Sequence, residues 1–80
     1  MKIKIIGYDT KAGIKLKDNV IKVVNDLNNN VTINFEEGKK NNKEPVLYID
    51  DILICQGKVI SERRLLKYLK KNYKDIFTML

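Results

Sequence analysis

The apolar residues change period along the chain, and that change constrains the fold more than any other property of these 80 residues. Lys2 to Ile6 alternates and stops at Gly7, the pattern of a short strand and a turn. From Lys11 to Asn28 the apolar positions Leu16, Val20, Val23, Val24 and Leu27 fall at three- and four-residue steps, one face of an amphipathic helix. Asn28-Asn29-Asn30 stops that helix, because asparagine tolerates the left-handed conformation at a helix end. Val31 to Glu36 alternates again, with Val31, Ile33 and Phe35 on one side. It reads as a half-buried strand at a sheet edge.

Glu37 to Glu44 contains no apolar residue and reads as an exposed loop. Pro45 opens Val46-Leu47-Tyr48-Ile49, Asp50-Asp51 makes a two-residue turn, and Ile52-Leu53-Ile54-Cys55 runs back. Both strands of that hairpin are apolar on both faces, so a central or well-covered place is expected. Gln56-Gly57-Lys58 leaves the sheet. Ser61 is a good helix N-cap, although its capping box is incomplete because Arg64 stands where Glu is favoured. The last helix carries Leu65, Leu66, Leu69, Tyr73, Ile76, Phe77 and Leu80 on one side. The order is β-α-β-loop-β-β-α, an α/β chain that forms a single domain over residues 1–80.

Composition narrows the chemistry. At 44% apolar and 32% charged, the chain reads as a soluble globule with a modest core. No apolar run approaches the roughly 20 residues that span a bilayer, so no membrane association is expected. Met1 to Ile6 is too short and too alternating for a signal-peptide core. One cysteine, Cys55, cannot make an internal disulfide, which fits a reducing, cytoplasmic setting. With no histidine and one thiol, the obvious groups for nucleophilic, acid–base or metal chemistry at neutral pH are missing.

The net charge of +6 is carried by one segment. Lys58, Arg63, Arg64, Lys67, Lys70, Lys71 and Lys74 stand there against a single acid, Glu62, and the rest of the chain is balanced. A phosphate or polyanion patch is one reading, through Arg63, Arg64, Lys67, Lys70, Lys71 and Lys74. A solvated helix face is the plainer one, since lysine far outnumbers arginine and phosphate and base readout lean on arginine.

The opening Met1-Lys2-Ile3-Lys4-Ile5-Ile6-Gly7, then Pro45-Val46-Leu47-Tyr48-Ile49-Asp50-Asp51 and Gly57-Lys58-Val59-Ile60-Ser61, resemble small thioredoxin-like redox-disulfide proteins. The likeness covers most of the chain outside Glu36 to Glu44. It implies a minimal thioredoxin-like fold: a four-stranded mixed sheet with two helices, the family's second helix missing or shortened. It also implies that Pro45 is the proline which that family holds in cis beside its active site, where backbone groups meet an extended peptide.

Two departures from that family matter. Where its members carry Cys-x-x-Cys, this chain has Thr10-Lys11-Ala12-Gly13. Disulfide exchange needs an attacking thiolate and a resolving thiol, so the dithiol activity does not carry over and no catalytic residue is assigned. Nine polar residues, Glu36 to Glu44, stand in place of the second helix, which leaves one sheet face uncovered. Lys2, Lys4, Thr32 and Asn34 give that face polar strands. In the hairpin, either Val46, Tyr48, Ile52 and Ile54 or Leu47, Ile49, Leu53 and Cys55 lie on it. An apolar patch there would suit a homodimer or another protein.

Tyr8, Asp9 and Thr10 end the first strand where such folds bind ligands, and with Glu44 and Pro45 they form the candidate binding site. Thr10 also reads as a helix N-cap, with Asp9 as the alternative. Cys55 reads first as a small buried hydrophobe and only second as a lone redox thiol. Asp50-Asp51 is ordinary turn chemistry, so neither a metal nor a cofactor is expected. The expected function is non-catalytic binding of a protein or peptide, or self-association. A weak nucleic-acid or polyanion binder is the alternative, and a monothiol redox protein a third.

Overall fold

A computed structural model describes residues 1–25, 31–39 and 43–73. The strands are β1 (Lys2–Ile6), β2 (Thr32–Glu36), β3 (Val46–Ile49) and β4 (Ile52–Gln56), and the helices are α1 (Lys11–Val24) and α2 (Glu62–Asn72). They form a mixed α/β architecture with one four-stranded mixed sheet in the order β2-β1-β3-β4. β1 and β2 run parallel, whereas β3 lies antiparallel to both β1 and β4. The opening strand therefore sits beside the strand that Pro45 leads. No helix among the described residues is long and apolar enough to cross a membrane.

Both helices pack on one face. Ile3 and Ile5 of β1 and Leu47 and Ile49 of β3 join Leu16, Val20 and Val23 of α1 and Leu65 and Leu69 of α2 in a single buried cluster. Burying side chains of this size contributes about 1.5–3 kcal/mol each, which makes this layer the main source of stability. Each helix starts on a hydroxyl cap. Gly13 N–H donates to Thr10 Oγ1 at 2.9 Å, and Arg64 N–H donates to Ser61 Oγ at 3.2 Å. The first helix, expected to run to Asn28, ends at Val24 with Asn25 as its cap. Leu27 and the asparagine run at 28–30 fall outside the described residues, as do Lys74, Ile76, Phe77 and Leu80.

The hairpin departs from expectation twice. β3 is central and buried, but β4 is an edge strand, with Ile52 55% and Leu53 50% exposed. Sheet order, which strand composition does not specify, decides this. The second correction concerns the faces. Tyr48 pairs with Leu53 and Leu47 with Cys55, so Ile54 is an extra residue in β4, a bulge. Past it the alternation inverts. Neither expected set is therefore the one on the open side: Val46, Tyr48 and Leu53 share that face with Lys2, Lys4, Thr32 and Asn34, while Leu47, Ile49 and Cys55 face the helices. Asp50 and Asp51 turn the chain with φ of 49° and 68°, the left-handed geometry of a two-residue hairpin loop.

The described part of the polar stretch after β2 is not uniformly exposed. Gly38 and Glu44 are half-buried, and Glu37, Gly38, Lys39, Lys43 and Glu44 form the wall of a shallow pocket over Ile6 and Val46. Val46 is consequently buried although it lies on the face without helices.

Candidate functional site

The turn from β1 into α1 is built around two glycines. Gly7 takes φ of 78°, a conformation that costs other residues free energy. Its N–H donates to the Glu36 carbonyl at 2.8 Å, which extends the parallel ladder by one step. Its carbonyl then accepts twice, from Thr10 N–H at 3.2 Å and from Thr10 Oγ1 at 2.9 Å. The Thr10 hydroxyl thus donates to one side of the turn and accepts from Gly13 N–H on the other. Gly13 packs so tightly that a Cβ there would collide with the Gly7 carbonyl. The segment Thr10-Lys11-Ala12-Gly13 is therefore a closed backbone turn with its hydroxyl engaged in capping.

The remaining candidates fall around this turn. Glu44 abuts it, its Oε2 lying 2.8 Å from where a Gly7 Cβ would be, and its Oε1 accepts from Lys39 N–H at 2.5 Å. Pro45 is fully buried, the Glu44–Pro45 peptide is cis, and the Pro45 carbonyl accepts from Gly57 N–H at 2.9 Å. That carbonyl is occupied within the sheet. Asp9 is exposed, and Thr10, not Asp9, caps the helix.

Tyr8 packs against β2. Its ring lies 5.5 Å from that of Phe35, tilted by 56°, and Lys17 Nζ sits over both rings at 5.9 and 5.1 Å. Such contacts are worth about 0.5–1 kcal/mol at exposed sites. The meeting of Phe35 and Lys17 with Tyr8 is not legible in the sequence, because nothing in the spacing of residues 8, 17 and 35 signals it. The parallel register does it, setting Phe35 level with Ile5 and hence near the turn that follows β1.

Cys55 is half-buried and lines a groove with Ile54, Lys58, Val59, Ile60 and Arg64. Burial pushes its thiol above the usual range, against the opposing effect of backbone hydrogen bonds with Ile60 and Leu47. The thiolate is disfavoured at neutral pH. Arg63, Arg64, Lys67 and Lys70 line another shallow groove with Leu66 along α2, Lys71 is exposed, and Lys74 falls outside the described residues. Asp50 is held by the fold, since its Oδ1 accepts from Lys2 N–H at 2.8 Å and its Oδ2 from the Tyr73 hydroxyl at 2.5 Å. No protein-family model, curated protein or solved structure matches the chain.

Proposed function

We propose that this chain is a thioredoxin-like framework without disulfide chemistry that serves as a non-catalytic protein-binding module. The observation that carries the reading is the turn at residues 10–13, where the resemblance would put the family's dithiol. Its hydroxyl is committed to a helix cap, and its last residue has no room for a side chain. The sheet order, with the opening strand between a parallel edge strand and the proline-led hairpin, supports the framework half of the reading. The binding half draws on apolar side chains left at both sheet edges: Phe35 on β2, Ile52 and Leu53 on β4.

Turnover in an insulin-reduction assay with dithiothreitol tests the chemistry. The expected rate equals the uncatalysed one. Catalysis that disappears on Cys55→Ser would instead establish a monothiol enzyme.

A second reading is favoured by the basic groove on α2, where four cations converge beside Leu66. It predicts salt-sensitive retention on heparin that collapses in an Arg63→Glu, Lys67→Glu, Lys70→Glu variant. Retention unchanged by that triple reversal removes the polyanion reading.

A further inference from the structure

The two sheet edges are not equivalent. Thr32 N–H donates inward to the Met1 carbonyl at 3.0 Å, and the Glu36 carbonyl accepts from Gly7 N–H. Alternation then turns the N–H and C=O groups of Ile33 and Phe35 outward. Among the described residues nothing pairs with them, because β2 ends the sheet. β2 is straight, with no register shift against β1, and it contains no proline and a single charged residue, Glu36. Natural edges are usually blunted by bulges, lysines or proline. β4 carries such a bulge at Ile54, and β2 carries none of these devices.

We propose that β2 is the contact surface for a second copy of this chain, paired antiparallel about a two-fold axis at Asn34. This deepens the binding reading above by naming the partner. In that register Ile33 of each copy falls opposite Phe35 of the other. Both outward-facing residues then form hydrogen-bonded pairs, and the sheet continues to eight strands. An aromatic residue opposite a β-branched one is a favourable cross-strand pair. Thr32 meets Glu36 of the other copy, which holds the two Glu36 carboxylates four residues apart along the ladder.

Charge selects the same edge. The excess positive charge lies in residues 58–74, and α2 is tied to the hairpin side of the sheet through Tyr73 and Asp50 and through the groove that Arg64 shares with Ile54. Pairing through β2 keeps the two basic segments at opposite ends of the joined sheet. Pairing through β4 would bring them together. The partly exposed Phe35 ring, with Tyr8 and Lys17 beside it, then gains cover at the seam.

Sedimentation equilibrium over a wide concentration range, with circular dichroism to verify folding, tests this. The wild-type chain is expected to dimerise. Asn34 is exposed at the axis, so Asn34→Glu and Asn34→Lys should each weaken the dimer about fivefold by placing like charges opposite one another. An equimolar mixture of the two should restore it. Phe35→Pro, which removes an outward N–H and no bond within the sheet, should give a folded monomer.

Three outcomes overturn the proposal. They are a wild-type monomer at every concentration, a mixture no tighter than either charged variant alone, and a dimer abolished by Leu53→Lys on β4. None of them touches the non-catalytic reading, which the insulin assay decides separately.

Discussion

Gly13 shows how much one missing side chain can determine. A methyl group there meets the Gly7 carbonyl and crowds Thr10 Oγ1 at 2.9 Å, so backbone must shift to admit it. In an ordinary helix position Gly→Ala stabilises by nearly 1 kcal/mol. Here Gly13→Ala should destabilise by about 2 kcal/mol through forced overpacking, read as a lower midpoint in urea. An unchanged or raised midpoint would mean that the turn relaxes freely. The same contact bears on installing a dithiol in this turn, because a Thr10→Cys, Gly13→Cys pair inherits the collision and loses the hydroxyl cap. That Thr10 caps a helix is legible from its type and position. That Gly13 is excluded from carrying a side chain is not, since the closeness of a carbonyl six residues earlier is a property of the folded turn.

Among the elements, the end of α2 and the hairpin turn are joined by a clasp that no sequence pattern announces. Asp50 accepts from the Tyr73 hydroxyl and the Lys2 amide, and both lower its pKa from the usual 3.8, Tyr73 contributing most. A depressed carboxylate contributes stability that is present above its unfolded value and lost as pH falls through the folded one. Acid weakening should therefore begin near pH 3.8 and continue below it. Tyr73 moves the opposite way, raised from 10.0 to about 12 by burial first and by the Asp50 hydrogen bond next. Its contribution is complete below pH 10 and lost as pH rises through about 12. Asp50 is close to fully solvated, so both effects are small. Tyr73→Phe should flatten both the alkaline and the acid limb of a thermal-melt series. Parallel wild-type and variant curves would rule out the clasp.

At the scale of the molecule, the described residues draw their stability from one layer of buried side chains between the sheet and two helices. Leu47 is wholly buried in the central strand β3, and Leu47→Ala should cost about 3 kcal/mol, a large share of what a small domain possesses. Leu53, half-exposed on β4, should lose at most about 0.5 kcal/mol on the same change. Comparing the two by urea unfolding tests the sheet order directly. Equal losses would mean that β4 is not at the edge. Read from composition alone the two leucines are equivalent, because both sit in short apolar strands of the same hairpin.

Local periodicity and cap chemistry were enough to specify the order of elements, the polar and apolar sides of α1 and β1, and the hydroxyls that start each helix. These depend on contacts a few residues apart, which the chain carries in its own spacing. Which hairpin strand is central, where a bulge inverts its faces, how residues 37–39 and 43–44 cover Val46, and that Tyr8, Lys17 and Phe35 converge all depend on pairings between distant residues. Only the tertiary structure decided them, because strand order and register are settled by competition among many similar apolar segments for one core.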